Sequence, residues 1–170
     1  MDHPDKIRNF QVYMGSKLLG IVDATLPNLT PLKETTKGAG IAGEYETPVP
    51  GQFGALKLQL TWRQADVSAV RLANPDGQTV ELRSSAQVAD SGTYRLKKVP
   101  IKIVIKGVSS DMQLGKFDPG TAMGTTTELE CLYYKMEYNG MVLYEVDKLN
   151  FKAIINGVDV LATDRANMGD

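Results

Sequence analysis

The dipeptide Asn139-Gly140 separates two segments that are rich in aromatic and aliphatic residues, 133–138 and 141–147. Asn-Gly readily accepts the two positive φ angles of a type I′ turn, which joins antiparallel strands through only two residues. The sequence therefore predicts a β-hairpin closed at Asn139 and Gly140. A second dipeptide of this kind, Asn156-Gly157, follows a further predicted strand at 150–155.

A strictly alternating segment, 55–62, indicates a strand with one buried face. Its apolar residues fall at every second position, at Leu56, Leu58, Leu60 and Trp62. Because successive side chains of a strand point to opposite faces, these four share one face. We expect this face to form part of the core.

Other apolar runs bounded by turn residues predict strands at 10–14, 18–22, 78–88, 94–108 and 121–138. The first two are separated by Gly15-Ser16-Lys17, which is typical of a hairpin. The sequence thus predicts a mainly β protein.

One short helix interrupts this pattern. Asp66 can cap a helix that continues to about Ala73, with Val67, Val70 and Leu72 facing inward. The segment 158–168 is expected to add one or two helical turns at the end of the chain.

The two longest predicted strands return on each other if the segment 109–120 forms their connection. In that register Lys102 lies near Glu130, and Lys106 lies near Thr126 or Glu128, so opposite charges meet across the strands. The alternative is that these charges only form a solvated face. Pro100 cannot donate a backbone hydrogen bond, which predicts an edge position or a bulge there.

The segment 27–54 differs in composition from the rest of the chain. It contains four prolines and five glycines and lacks a sustained hydrophobic period. A long irregular segment inside a compact domain usually has a function, and we expect a projecting Gly/Pro-rich arm that reaches a partner. The residues predicted to make that contact are Gly38, Gly40, Gly43, Tyr45, Pro48 and Pro50.

No pattern of residues predicts catalysis, so we expect a protein without catalytic, cofactor-binding or metal-binding residues. The net charge of −1 does not resemble the basic balance of nucleic-acid-binding proteins, so we expect that DNA is not held tightly. The only histidine, His3, lies in a polar terminus that is expected to fray, and the only cysteine, Cys131, is expected to be a buried apolar residue. The glycines at 38–43 match a dinucleotide fingerprint, but no strand–helix context surrounds them.

No apolar run has the length of a membrane span, and the polar segment 1–6 does not resemble a signal peptide. We therefore expect no membrane insertion, and synthesis and folding in a cytoplasm.

Four short motifs occur in an order that resembles a known family. They are Thr25-Leu26-Pro27, Tyr133-Tyr134-Lys135, the Asn139-Gly140 turn and Asn156-Gly157-Val158-Asp159. In this set the chain resembles the major tail tube protein of contractile-tailed phages and the related tube proteins of contractile bacteriocins. The likeness covers both ends of the chain and is weak between 66 and 120.

This resemblance implies a single tail tube domain over 1–170, folded as a β-barrel or sandwich with a helix, with the arm at about 27–54. It implies a structural subunit that forms six-membered rings, which stack into a hollow conduit for DNA delivery into the host cell. The implied partners are further copies of the chain and the tail sheath, baseplate and tail terminator proteins, with DNA only in transit. The implied location is the virion tail, assembled in the host cytoplasm.

Three alternatives remain open from the sequence. The tube could belong to a genome-free contractile bacteriocin or injection particle. A monomeric β-barrel that carries a small ligand would need an apolar pocket inside the barrel. The third alternative is a hydrolase with an unrecognised site.

Overall fold

Antiparallel strands make up most of the chain, of which the computed structural model describes residues 1–169, apart from the side chains at positions 21 and 22. The strands are β1 (Asp2–Met14), β2 (Lys17–Leu19), β3 (Ile21–Thr25), β4 (Pro31–Lys37), β5 (Glu44–Phe53), β6 (Lys57–Trp62), β7 (Gln78–Asp90), β8 (Leu96–Gln113), β9 (Thr125–Tyr138), β10 (Met141–Asp147), β11 (Lys152–Ile155) and β12 (Val158–Asp159). Two short helices complete the fold, α1 (Val67–Leu72) and α2 (Ala162–Met168). The predicted mainly β fold is confirmed.

The strand pairings close on themselves and form a barrel. β1 pairs with β7, β7 with β8, β8 with β9, β9 with β6, and β6 with β3. Only Gly20 separates β3 from β2, and β2 pairs with β1. One continuous segment therefore joins the last strand of the series to the first, so of the expected barrel or sandwich the strands form a barrel.

Alternating side chains fill this barrel. Leu56, Leu58, Leu60 and Trp62 are all buried, as their spacing predicted. Opposite them lie buried residues of the other strands, which are Val12, Val80, Leu82, Ile103, Ile105, Leu129 and Cys131. Full burial of a leucine or valine side chain contributes about 1.5–3 kcal/mol.

Strand β9 has two different neighbours on one of its sides. Its first half, from Thr125 to Glu130, pairs with β6, and its second half, from Tyr133 to Tyr138, pairs with β10. β10 then pairs with β11, and β11 pairs with β12. The segment that follows the Asn139-Gly140 turn therefore lies outside the barrel.

Both Asn-Gly dipeptides occupy two-residue hairpin turns. Asn139 and Gly140 have φ angles of 49° and 80°, and Tyr138 pairs with Met141. Asn156 and Gly157 have φ angles of 50° and 81° and connect β11 to β12. Two successive positive φ angles are those of a type I′ turn.

The predicted register between β8 and β9 is wrong. Lys102 lies opposite Glu137 and Lys106 opposite Tyr133, whereas Glu130 lies opposite Val108. β8 continues to Gln113 and β9 begins only at Thr125, so the connection is centred later in the chain than the predicted 109–120. Opposite charges still meet across the strands, but at Lys102 and Glu137.

Pro100 lies at a local edge of the sheet. It is paired with Ser85 of β7, and its carbonyl accepts a hydrogen bond from the backbone nitrogen of Asn139 at 2.9 Å. In a strand, the backbone nitrogen and the carbonyl of one residue point to the same side. For Pro100 this is the side of β9, but β9 ends at Tyr138 and does not extend to this position. No donor is needed there, which explains how proline is tolerated in a strand with neighbours on both sides.

The first helix is confirmed at Asp66, whose carboxylate accepts a hydrogen bond from the backbone nitrogen of Ala69 at 2.8 Å. Its predicted inner face is wrong in part. Val67 and Val70 are 70% and 56% exposed, whereas Ala69 and Leu72 are buried. Positions 69 and 72 lie on one side of the helix, and that side packs on the barrel.

Three other expectations about local structure need correction. The segment 27–54 is not irregular, because β4 and β5 form a separate two-stranded antiparallel sheet. His3 does not lie in a frayed end, since β1 begins at Asp2 and pairs His3 with Ala89. Residues 158 and 159 form β12, so the predicted final helical turns begin at Ala162.

Candidate assembly surfaces

The β4–β5 hairpin carries all of the residues that were predicted to contact a partner. Its connecting loop, 38–43, and the first half of β5 are exposed. Between the exposed parts of the two strands, Lys33 contacts Glu46 at 3.8 Å. Tyr45, which pairs with Thr36, is exposed, and so is Leu32. This hairpin therefore presents side chains and two strand edges to the surroundings.

The glycines of the connecting loop differ in their backbone conformation. Gly40 and Gly43 have φ angles of 88° and 108°, which L-residues rarely adopt. Gly38 has no positive φ angle, and a Cβ atom built there meets nothing within 4 Å. The fold of one copy thus gives no reason for glycine at position 38.

The base of the hairpin is held against the end of the chain. A Cβ atom at Gly51 would lie 2.7 Å from Val160 Cγ2 and 2.8 Å from Leu161 Cγ, so any larger residue would force these side chains to move. Its φ angle of 77° favours glycine as well. Sequence reasoning placed Gly51 in the arm but missed this close packing.

The chain leaving the hairpin is held by a polar cluster. Lys148 Nζ donates a hydrogen bond to the carbonyl of Gly54 at 2.8 Å and lies 3.3 Å from Glu130 Oε1. The same carboxylate oxygen accepts a hydrogen bond from the backbone nitrogen of Leu56 at 3.2 Å. This cluster links the base of the hairpin to β9 and to the end of β10. The sequence contained no signal for it, because the three groups are far apart in the chain.

The Tyr133-Tyr134-Lys135 motif divides between the two faces of β9. Tyr134 is buried, and this burial raises its pKa to about 12. Tyr133 lies on the outer face, where Lys106 Nζ is 5.1 Å from the centre of its ring and its hydroxyl donates to Glu145 at 3.2 Å. Lys135 pairs with Glu137 at 2.7 Å, and this hydrogen bond raises the lysine pKa.

The Asn156-Gly157-Val158-Asp159 motif fixes the final helix. Asp159 accepts hydrogen bonds from the Arg165 side chain and, at 3.1 Å, from the backbone nitrogen of Leu161. The hydrogen bond from Arg165 is the main cause of the lowered pKa of Asp159. Val158 is exposed beside this ion pair.

The third motif, Thr25-Leu26-Pro27, lies where β3 ends. Pro27 is buried and Thr25 is exposed. Leu26 lines an apolar groove at one end of the barrel, together with Ile7, Phe10, Ala24, Ile101 and Met136. The groove has a volume of about 280 Å³.

The single cysteine lies inside the barrel. Cys131 is buried, and this burial raises its thiol pKa to about 12, which suppresses the nucleophilic thiolate. Within residues 1–169, no cluster of three or more His, Cys, Asp or Glu residues is arranged to hold a metal ion. Neither described helix is long and apolar enough to cross a membrane.

Comparison with known proteins identifies the family of this chain. Residues 4–169 match the family described as phage tail tube protein FII. The chain belongs to this family. The tail tube protein of Escherichia phage P2 is 25% identical, with 99% of each chain covered. The major tail tube protein of Serratia phage KSP20 is 26% identical and covers 87% of this chain and 85% of its own.

A solved structure of an extracellular contractile injection system has a similar fold. Its PVC sheath/tube terminator in the extended state matches with a TM-score of 0.53 and 10% identity, covering 79% of this chain and 97% of the other. Tail tube proteins are structural components of the virion tail, and the resemblance to a tail tube protein is confirmed.

Proposed function

We propose that this tail tube protein forms rings of six copies, which stack into a hollow conduit for DNA delivery into the host cell. The family match over residues 4–169 carries this proposal. The proposed partners are further copies of the chain and the sheath, baseplate and tail terminator proteins of a contractile tail. The tail would be assembled in the host cytoplasm.

Exposed strand edges support self-association. β4 and β5 pair only with each other among the described strands, so each leaves one edge of backbone donors and acceptors unpaired. Such edges pair readily with strands of another molecule. A ring or stack of identical copies removes them from solvent.

The charges on the outer face of the large sheet fit a conduit that DNA passes through without being bound. Glu81 contacts both Arg83 and Lys102, Lys135 contacts Glu137, and Lys152 contacts Glu145. Cations that already have carboxylate partners release few counterions from DNA and bind phosphate weakly. A tube wall of this kind would let DNA move along it.

The β4–β5 hairpin is the proposed contact between stacked rings, with Gly38, Gly40, Gly43, Tyr45, Pro48 and Pro50 at the contact. Gly38→Val is the sharpest test, because position 38 lacks both a positive φ angle and near neighbours. We expect unchanged thermal unfolding and rings that no longer stack into tubes in electron micrographs. Gly77→Val is the matched control, since Gly77 has the same two properties outside the hairpin.

The control variant should form tubes like the parent chain. Normal tubes from Gly38→Val would remove the hairpin loop from the stacking contact. A parent chain that forms neither rings nor tubes would contradict the proposed function itself.

A further inference from the structure

The two walls of the barrel differ in length. β1, β7, β8 and β9 contain 13, 13, 18 and 14 residues, whereas β3 and β6 contain 5 and 6. The inward side chains at one end of the long strands therefore have no strand opposite them. The apolar groove lies at this open mouth, and we call it the mouth groove.

The mouth groove continues the core to the surface. Leu82 and Ile103 are buried at its base, and Phe10, Ile101 and Met136 pack against the core cluster. At its rim, Ile7 is 53% and Leu26 is 42% exposed. Clustered exposed apolar side chains above a continuous core are typical of a contact surface.

The opposite end of β8 and β9 carries an exposed aromatic side chain. Phe117, in the connecting loop 114–124, is 93% exposed. A large apolar side chain at the tip of a loop contributes nothing to the core of its own copy. Tyrosine, tryptophan and other large side chains in such positions often fill a pocket of a partner.

Backbone and side-chain hydrogen bonds bridge the base of the loop that carries Phe117. Lys116 N donates to the carbonyl of Met123 at 3.0 Å, Met123 N donates to that of Arg63 at 2.7 Å, and Thr125 Oγ1 donates to that of Leu114 at 2.9 Å. A Cβ atom at Gly115 would lie 2.0 Å from the Met123 carbonyl oxygen. Because the base of the loop is bridged in this way, docking Phe117 would cost less conformational entropy than docking from an unconstrained loop.

We propose that Phe117 of one copy inserts into the mouth groove of a second copy. The loop and the groove lie at opposite ends of the same strands, about 30 Å apart for the ten residues between Ile103 and Gln113. A contact between unlike ends of identical copies is heterologous, so it repeats from copy to copy into a ring or a filament. This inference deepens the proposed function, since it names the surfaces through which copies associate.

Charged side chains beside the two surfaces can form an ion pair across this contact. Asp118 follows Phe117, and Arg8 lies between the groove residues Ile7 and Phe10 on β1. Asp118 lies 3.6 Å from Lys116, a contact between exposed groups, whereas the structure gives Arg8 no ion pair with a described residue. An Arg8–Asp118 pair across the interface would add attraction and fix the orientation.

Cross-linking tests the contact in the assembled protein. A variant with Phe117→Cys and Leu26→Cys should form a ladder of disulfide-linked multimers when its assemblies are oxidised, and each single variant should form none beyond the dimer. Cross-linking within one copy is excluded by the separation of the two positions. The buried Cys131 does not compete for oxidation.

Assembly of truncated variants gives the second readout. Phe117→Ala should raise the protein concentration needed for assembly roughly ten-fold or more, as expected for the loss of a central aromatic contact, with unchanged thermal unfolding. Phe117→Leu, which keeps an apolar side chain, should restore most of the assembly. Leu149→Ala removes another exposed apolar side chain, which is 76% exposed, and should assemble like the parent chain.

Normal assembly of Phe117→Ala together with absence of the disulfide ladder would overturn this inference and leave the proposed function intact. A ladder that forms while the parent chain yields only short chains of copies would support the contact and contradict the tube. A parent chain that stays monomeric at every concentration would overturn both proposals.

Discussion

At the scale of single residues, Asp90 stabilises the turn between β7 and β8. Its carboxylate accepts hydrogen bonds from the backbone nitrogens of Gly92 and Thr93 at 2.9 and 3.4 Å, and it pairs with Lys97 at 2.8 Å. Lys97 also contacts Asp2 at 3.0 Å, which connects the turn to the start of β1. The hydrogen bond from Lys97 is the main reason why the pKa of Asp90 falls from 3.8 to about 2.

This lowered pKa predicts a pH dependence. A carboxylate that is more acidic in the folded state stabilises the fold at pH values above about 4, and the contribution is lost as the pH falls from about 4 to about 2. Asp90→Asn should therefore lower the melting temperature at pH 6 and cause little change near pH 2. Melting curves across this range check the prediction, with Asp76→Asn as the exposed control. An equal difference between Asp90→Asn and the parent chain at both pH values would contradict it.

Spacing in the sequence predicted buried residues where the strand pattern alone decides burial. The face formed by Leu56, Leu58, Leu60 and Trp62 required only an alternating period. The inner face of α1 could not be predicted in the same way, because a helix of six residues has apolar side chains on more than one side. Contact with the barrel selected Ala69 and Leu72 over Val67 and Val70.

At the scale of elements, the two Asn-Gly turns could be predicted from the sequence, whereas the β4–β5 hairpin could not. A type I′ turn requires two positive φ angles, and Asn-Gly is the dipeptide that adopts them most readily. This predicts the turns at Asn139-Gly140 and Asn156-Gly157. β4 and the first half of β5 have no buried face, so no alternation of apolar and polar residues marks them as strands. The β8–β9 register was missed because the loop 114–124 is stabilised by backbone hydrogen bonds without a sequence signature.

The fit between the base of the hairpin and the segment before α2 makes a prediction about stability. Gly51→Ala should destabilise the fold by about 1–3 kcal/mol, because the new methyl group meets Val160 and Leu161 and the backbone has a positive φ angle. Gly54→Ala is the matched control, since its Cβ atom would come no closer than 3.9 Å to the carbonyl of Thr30. Urea unfolding of both variants measures the difference, and equal midpoints would show that the hairpin base is not tightly packed.

At the scale of the whole molecule, closure of the barrel depends on pairings between distant segments. The segment 17–25 changes its partner at Gly20: β2, before it, pairs with β1, and β3, after it, pairs with β6. No local pattern in the sequence predicts this change. The ordered motifs at both ends of the chain led to the correct family, which matches residues 4–169. The mouth groove and Phe117 were missed because each becomes visible only when the lengths of the strands are compared in three dimensions.

The central claim is that the chain assembles by itself into stacked six-membered rings. Electron cryo-microscopy of the purified protein, without nucleotide, metal or DNA, tests it most directly. We expect hollow tubes with six copies in each ring, and isolated rings with six times the subunit mass of 18.6 kDa. Particles of a single copy at every concentration, or closed assemblies without a central channel, would contradict the account.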